Sequence, residues 1–347
     1  MFITFNEWEG LINLPKKEMV AISGSAAFDV IATTQETLDE IFMHALETKD
    51  GEARISFSFL VNKKVSFGGT ALNIAYNMKL TNGEPLPISC VGRDFVSRNY
   101  KKHLQSLGID LSGLVINDGE DTAEAYIVTG RKGDQMSIFH SGALNNTCNI
   151  KISEIINNKK VGMSIVSPNP PNTMLRHSKE FQKLNIPFVA DPGQMINSFK
   201  PEDLHEFISG ASMLIVNDYE ALLVEKKLQR KLKDIIDPVI ITRGEHGCSV
   251  YKNGSHINIP AVKISKLVDP TGAGDAFRGG LLSGLSKLNP KLEDLTLEEL
   301  KTACQMGAVC GGYAVENEGT QNHVFTIEEF KERYEKNYGK LDEQLIS

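Results

Sequence analysis

Short apolar segments alternate with segments of helical periodicity along most of the chain, the pattern typical of a parallel α/β sheet. Strands of such a sheet are buried on both faces, so they form continuous apolar runs. The predicted core strands are residues 20–24, 86–91, 163–167, 188–190, 213–216 and 239–242. The predicted helices are residues 71–79, 99–107, 152–156, 172–183, 220–225 and 327–338.

Two stretches, about 28–67 and 121–140, interrupt this alternation. They contain strand-like segments without a helix of comparable strength, apart from residues 36–46; the segments are 55–60, 64–67, 123–129 and 135–139. We interpret them as a small, partly exposed β-sheet on the α/β body, serving as a lid over a cleft or as a dimerisation sheet. Residues 1–347 are then expected to form a single domain with two inserted lid segments.

Composition narrows the classes of partner. The 347 residues carry a net charge of −7, which argues against nucleic acid because phosphate binding needs clustered Lys and Arg. The five cysteines are scattered and lack C-x-x-C spacing, as expected of reduced cytosolic thiols. No apolar run approaches the roughly 20 residues of a membrane span. One stretch, from Lys16 to Ala27, resembles a secretory signal peptide, but Glu18 interrupts it. We therefore expect a cytoplasmic protein without a membrane or nucleic-acid partner.

The most informative motif is Gly272-Ala273-Gly274-Asp275, followed by an apolar, glycine-rich run that predicts a helix. Backbone amides at the start of a helix, reinforced by its dipole, attract an anion such as a transferring phosphoryl group. Asp275 would stand at the rim of that anion site, placed to accept a proton from a substrate hydroxyl. The alternative is a glycine-rich turn in which the aspartate caps the helix.

A second motif, Gly68-Gly69 followed by Asn73, lies between a predicted strand and a predicted helix. Paired glycines let a ligand approach the backbone closely, and an asparagine amide both donates and accepts hydrogen bonds. A plain strand-to-helix turn is the alternative. Neither a G-x-G-x-x-G dinucleotide fingerprint nor a P-loop motif is present, so those two nucleotide-binding classes are excluded at motif level.

Further polar residues follow predicted strands, where ligands of parallel sheets gather. Asp29 could hold two vicinal hydroxyls of a sugar ring, or it could be a helix cap or a surface aspartate. Asn217 and Glu220 could order Mg²⁺ through water, since this ion usually keeps several waters. Thr242 and Gly244 could present a hydroxyl and a bare backbone to nucleotide phosphates.

Together these motifs resemble those of the ribokinase-like (PfkB) carbohydrate and nucleoside kinases, over about residues 20–338. The matching residues, in order, are Gly68-Gly69 with Asn73, Asn217-x-x-Glu220, Thr242-x-Gly244-x-x-Gly247, and Asp269 with Gly272 to Asp275. The resemblance implies a three-layer αβα sandwich with a mostly parallel central sheet and a small β-sheet lid. Within the family the chain is most similar to bacterial adenosine kinases, on residues 56–61, 190–192, 217–220, 275–278 and 318–321.

The resemblance also implies roles for individual residues. Asp275 would be the base acting on a 5′-hydroxyl, with Gly272, Ala273 and Gly274 as the anion hole. Nucleoside binding would involve Asp29 on the ribose hydroxyls, helped by Ser25, Gly68, Gly69 and Asn73, with Phe139 and Gln194 near the base. The departures are Met195, where such enzymes can carry a second glutamine, and Ala125, where a lid aromatic is expected.

ATP and Mg²⁺ are the implied cofactors. ATP would be bound by Asn217, Thr242, Gly244, Gly247 and Thr271, and Mg²⁺ held through water by Asn217 and Glu220. The family also suggests a monovalent cation such as K⁺ near Asp269 and Thr271.

The expected reaction is ATP-dependent phosphorylation of the 5′-hydroxyl of a ribonucleoside, with adenosine to AMP, a purine-salvage step, as the first choice. The alternatives are a sugar kinase acting on ribose or another furanose, a kinase for inosine or guanosine, and a silent nucleoside- or sugar-binding regulator. The exposed edge of the predicted lid could pair with a second copy, which leaves a homodimer open.

Overall fold

A computed structural model describes residues 18–43, 46–47, 54–55, 57–288 and 292–347. The strands are β1 (Met19–Ser23), β2 (Ala27–Thr34), β3 (Leu46–Glu47), β4 (Arg54–Ile55), β5 (Leu60–Gly68), β6 (Pro85–Gly92), β7 (Leu114–Asn117), β8 (Ala123–Thr129), β9 (Gln135–His140), β10 (Val161–Val166), β11 (Phe188–Ala190), β12 (Met213–Asn217), β13 (Val239–Thr242), β14 (Cys248–Lys252) and β15 (Ser255–Ile259). The helices are α1 (Leu38–Met43), α2 (Thr70–Leu80), α3 (Asp94–Ser97), α4 (Tyr100–Ser106), α5 (Ile152–Ile155), α6 (Pro171–Lys183), α7 (Pro201–Ser209), α8 (Asp218–Leu228), α9 (Ala273–Lys287), α10 (Leu297–Val315) and α11 (Ile327–Tyr338).

The central sheet has nine strands in the order β15-β14-β13-β12-β11-β10-β1-β6-β7. From β13 to β7 neighbouring strands are parallel, and β14 pairs antiparallel with both of its neighbours. All six predicted core strands form. The parallel strands therefore point their carboxyl ends to one edge, where the candidate residues gather.

Helices cover both faces of this sheet. Helices α2, α9 and α10 pack on one face through a buried cluster that includes Leu72, Leu281 and Ala303. Helices α6, α7 and α8 pack on the other through Phe181, Phe207 and Val224 among others. The expected three-layer αβα architecture is confirmed.

A second, small sheet has the strand order β5-β2-β8-β9, and it lies within the two stretches predicted to be β-rich. One predicted segment is wrong: residues 55–60 do not form one strand. Residues 57–59 lie outside any strand, and Arg54–Ile55 pairs instead with Leu46–Glu47. Ser56 lies outside the described residues, as do residues 44–45 of the predicted helix 36–46, of which Leu38–Met43 is helical.

Several elements were not predicted, among them strands β2, β7, β14 and β15 and helices α3, α7 and α10. Strand β15 is mostly exposed and alternates polar with apolar residues, so it lacks the continuous apolar run of a buried strand. Helix α10 had a usable signal, because Thr296 and Glu299 form a capping box at its start. None of the described helices is long and apolar enough to cross a membrane.

Helices α2 and α9 approach each other unusually closely at Gly279. A Cβ atom at this position would lie 2.5 Å from the Cβ of Asn77 and 2.8 Å from the carbonyl oxygen of Ile74. The second of these is backbone, which cannot move aside without shifting the helix. Gly279 therefore sets the separation of the two helices that begin at the glycine motifs.

The Gly279→Ala substitution should lower the free energy of unfolding by about 1–3 kcal/mol, the usual cost of overpacking, as measured by denaturant unfolding. Gly311→Ala is the matched control in helix α10, since its added Cβ would meet Ala273 at an ordinary 3.5 Å. The control should be neutral or gain up to about 1 kcal/mol from helix propensity. Equal stability of the two variants would contradict the role assigned to Gly279.

Candidate active site

Asp29 lies in β2, at the base of the small sheet, and is only 8% exposed. It does not cap a helix, so that alternative is wrong. Within the described residues its carboxylate has no hydrogen-bond partner. A Cβ on Gly68 would overlap this carboxylate, so the first glycine of the pair leaves the space that Asp29 occupies.

The second glycine, Gly69, has a φ of +89°, and a Cβ there would lie 2.5 Å from the backbone nitrogen of Ala27. The loop after β1 is thereby held against the start of α2. Ser25 completes the turn, because its hydroxyl accepts from the Thr70 amide at 3.0 Å. The Ser25 hydroxyl thus already serves the helix start, whatever else it binds.

Asn73 and Asp275 meet across the contact between α2 and α9. The Asn73 side-chain amide donates to Asp275 Oδ2 at 2.8 Å. The two glycine motifs therefore converge on one site.

Helix α9 begins at Ala273, directly after Gly272, which has a φ of +78° and serves as the N-cap. The Ala273 amide donates to the carbonyl of Pro270 at 3.2 Å, so it is not bare. Among the described residues, the amides of Gly272, Gly274 and Asp275 have no such partner. The open N–H groups of the predicted anion hole are thus Gly272 and Gly274, joined by Asp275 itself.

The charge of Asp275 acts electrostatically on the Asp29 carboxyl. Burial, and to a smaller extent the charges of Asp275 and Asp269, together raise the pKa of Asp29 to about 7. Burial also raises the pKa of Asp275 to about 6, against the opposing hydrogen bond from Asn73 and the charge of Arg278. The charge of Asp275 thus reaches the Asp29 carboxyl, as expected of two acidic groups at one candidate site.

Arg278 forms a buried ion pair with Asp191, at 2.5 Å between Nη2 and Oδ1. Its other terminal nitrogen donates to the carbonyl of Gly274 at 3.0 Å, and the Ser167 hydroxyl donates to the second Asp191 oxygen at 2.8 Å. This pair ties the first turn of α9 to the ends of β10 and β11. The sequence showed both charged residues but gave no signal that they meet.

Asn217 and Thr242 end neighbouring parallel strands in register, at the carboxyl edge of the central sheet. The Asn217 side chain accepts from the Glu220 amide at 2.7 Å, and Glu220 accepts from the Asn217 amide at 2.8 Å. The two residues thus form a capping box for α8. The second Glu220 oxygen has no partner among the described residues, and burial, then the charge of Asp191, raises the pKa of this carboxyl.

The other predicted nucleotide residues lie in tight turns. Gly244 and Gly247 have φ of +53° and +80°, and Gly247 packs directly against the carbonyl of Ile259. The Thr271 amide donates to Asp269 Oδ1, and the Gly319 amide donates to Asp269 Oδ2, both at 2.9 Å. Asp269 thus organises the loop before α9.

Phe139 lies in β9 on the same row of the small sheet as Asp29, with Ala125 between them in β8. Its ring is 51% exposed, and the small Ala125 leaves the space beside it open. Gln194 is exposed in the turn after β11, while Met195 packs against the apolar cluster under α6 to α8.

Comparisons with a protein family, with related proteins and with solved structures agree with this geometry. The pfkB family carbohydrate kinases match residues 19–326. A nucleoside kinase of Methanocaldococcus jannaschii is 30% identical over 275 residues, 78% of this chain and 86% of that protein. A cytidine kinase of Thermococcus kodakarensis is 30% identical over 66% of this chain and 84% of its own length.

Solved structures of a Burkholderia thailandensis nucleoside kinase are also similar. Its complex with inosine has a TM-score of 0.78 at 30% identity, covering 92% of this chain and 98% of that one. Its complex with ADP-inosine has a TM-score of 0.75 at 31% identity, covering 92% and 96%. The chain therefore belongs to the pfkB family of carbohydrate kinases, as a phosphotransferase that uses ATP to phosphorylate an alcohol group of a nucleoside or sugar.

Proposed function

We propose that this enzyme transfers the γ-phosphoryl group of ATP to the 5′-hydroxyl of a ribonucleoside, with adenosine as the first candidate. The observation that carries the proposal is the Asn73 to Asp275 contact at the open start of α9, together with the buried Asp29 carboxylate, whose pKa the charge of Asp275 raises. One end of the crevice suits a phosphoryl group and a hydroxyl proton, and the other suits a diol.

In the proposed step, Asp275 accepts the proton of the 5′-hydroxyl while that oxygen bonds to the γ-phosphorus. The bond from phosphorus to the bridging oxygen breaks, and ADP leaves. The amides of Gly272, Gly274 and Asp275 would stabilise the equatorial oxygens, because such transfer depends mainly on positioning and charge stabilisation.

Magnesium would be held mainly through its own waters. The described residues contain no cluster of three or more acidic, histidine or cysteine side chains that could enclose a metal. The free oxygen of Glu220 fits such a loosely held ion, with Asn217 fixing its carboxylate. Mg²⁺ would neutralise phosphate charge. The proposed K⁺ site is the loop before α9 that contains Asp269 and Thr271.

We also retain the small sheet as the proposed lid, since Asp29 and Phe139 share one of its faces. Closure would exclude water from the transferring group. Its edge strand β5 is largely exposed, with Leu60, Val61 and Val65 on the surface. The homodimer through this edge and the cytoplasmic location stay predictions.

Asp275→Asn should keep the fold and nucleoside affinity but lower kcat by about 10²–10⁴-fold, because an amide cannot accept the proton. Wild-type kcat should fall as pH drops below about 6, where Asp275 becomes protonated. Steady-state kinetics against pH and equilibrium nucleoside binding would measure both. Turnover of the variant within about tenfold of wild type would refute the assignment.

The acceptor is best identified by an ADP-release assay with adenosine, inosine, guanosine, cytidine and ribose. Stacking of a base on Phe139 is worth about 1–3 kcal/mol, so kcat/KM for the best nucleoside should exceed that for ribose by about 10–100-fold. The Phe139→Leu variant should reduce this ratio while leaving kcat/KM for ribose unchanged. A preference for ribose would instead favour the sugar-kinase alternative.

Asp29→Asn should lower the affinity for the nucleoside and raise the stability of the fold. The nucleoside KM should rise about 10–100-fold through loss of charged hydrogen bonds to the diol, while ATP affinity is retained. Because the folded pKa of Asp29 is about 7 rather than 3.8, wild-type stability falls as pH rises from about 4 to 7. The variant escapes this loss.

The stability gain of Asp29→Asn should therefore be absent near pH 4, grow up to about pH 7 and then stay constant, on the order of 2–4 kcal/mol. Thermal and denaturant unfolding at several pH values would measure it. A gain independent of pH, or a loss of ATP affinity equal to that of nucleoside affinity, would count against the assigned role.

A further inference from the structure

Gln321 lies in the segment between α10 and α11 and is almost fully buried behind the proposed catalytic aspartate. Its side-chain nitrogen donates to Asn73 Oδ1 at 2.9 Å and to the Tyr100 hydroxyl at 2.6 Å. Its oxygen lies 3.2 Å from His103 Nε2. The segment that carries it is fixed nearby, since the Thr320 hydroxyl donates to the carbonyl of Phe67 at 2.7 Å.

These hydrogen bonds form a connected network, and the direction of each follows from groups that can act only as donor or only as acceptor. The Tyr100 hydroxyl donates to the backbone carbonyl of Gly68 at 2.9 Å, and a carbonyl can only accept. The single hydroxyl proton is thereby used, so the Tyr100 oxygen must accept from the Gln321 NH₂ group. The Gln321 oxygen is left to accept from His103.

The same logic orients Asn73. Its side-chain oxygen accepts from Gln321, so its NH₂ group must point to Asp275, where it donates at 2.8 Å. Without Gln321 the Asn73 amide could rotate and present its oxygen to the carboxylate. Two acceptors would then face each other, and that arrangement favours a protonated Asp275.

We propose that Gln321 is a positioning residue for phosphoryl transfer, which orients the Asn73 amide so that Asp275 is held as an ionised, correctly directed base. The proposal rests on the proposed role of Asp275. It gives a function to a residue that touches neither the open helix start nor the Asp29 carboxylate.

The charged groups that act on Asp275 come from several elements. Arg278 on α9 favours its ionised form, as does the Asn73 hydrogen bond, whereas burial and the charge of Asp191 oppose it. The charge of Asp275 in turn raises the pKa of Asp29 on β2. A neutral replacement of Gln321 changes none of these charges, so a shift in the pH profile reports the orientation of Asn73.

The test is Gln321→Met, which keeps length and neutrality but removes the donor. We expect kcat to fall about 10–100-fold, the nucleoside KM to change less than about threefold, and the acid limb of the kcat profile to move up by about 0.5–1 pH unit. Asn322→Ala is the control, because the exposed Asn322 amide donates only to the carbonyl of Glu318. It should match wild type within about twofold.

A double-mutant comparison separates positioning from general structural support. In an Asn73→Ala background, Gln321→Met should have little further effect on kcat, because the Asn73 amide through which Gln321 acts is absent. A full additional loss in that background, or an acid limb unchanged from wild type in the single variant, would overturn the proposal. Retained activity of Asp275→Asn would instead refute the base assignment itself, so the two failures are distinguishable.

Discussion

The structure depends on the close approach of α2 to α9, two helices that begin at separate glycine motifs. Gly279 allows the approach because any larger side chain would press on the backbone of α2 at Ile74. The hydrogen bond from Asn73 to Asp275 then joins residues 202 positions apart. This hydrogen bond fixes the start of α9, the proposed phosphoryl site, against the first turn of α2. Packing between apolar helices therefore sets the distances on which transfer of a phosphoryl group depends.

The site keeps acidic groups in partly buried positions at a cost in stability, and the neighbouring residues limit that cost. Asp275 has one hydrogen-bond donor and a guanidinium charge close by, so its pKa rises only to about 6. Asp29 has no donor among the described residues, and its pKa rises to about 7. The difference in pKa suits the two proposed roles. A base must be ionised at neutral pH before substrate arrives, whereas a carboxylate that binds a diol gains its hydrogen bonds from the substrate itself.

Much of the fold followed from the sequence because its signals are local. A buried parallel strand such as Met213–Asn217 must be apolar throughout, and a helix such as Ile327–Tyr338 has a capping box and a regular apolar face. Strand Ser255–Ile259 was missed because it is an exposed edge whose pairing depends on a neighbour. Within the site, glycine spacing identified Gly68 and Gly272, but Tyr100 and Gln321 act through long-range hydrogen bonds. No local pattern reports such a bond, so only the folded arrangement reveals it.

The ion pair between Arg278 and Asp191 supports the proposed anion site at the start of α9 without placing a charged group in it. A guanidinium directed into the crevice would itself bind phosphate, but both terminal nitrogens of Arg278 are committed, one to Asp191 and one to the carbonyl of Gly274. The positive charge is therefore used inside the protein, and the open amides at the start of α9 remain for the proposed contact with the transferring group. Because the carbonyl of Gly274 is held by Arg278, the Asp275 amide, which belongs to the same planar peptide unit, is also held in direction. The preference for backbone amides over a mobile cation fits a site that must release its phosphorylated product at every turnover.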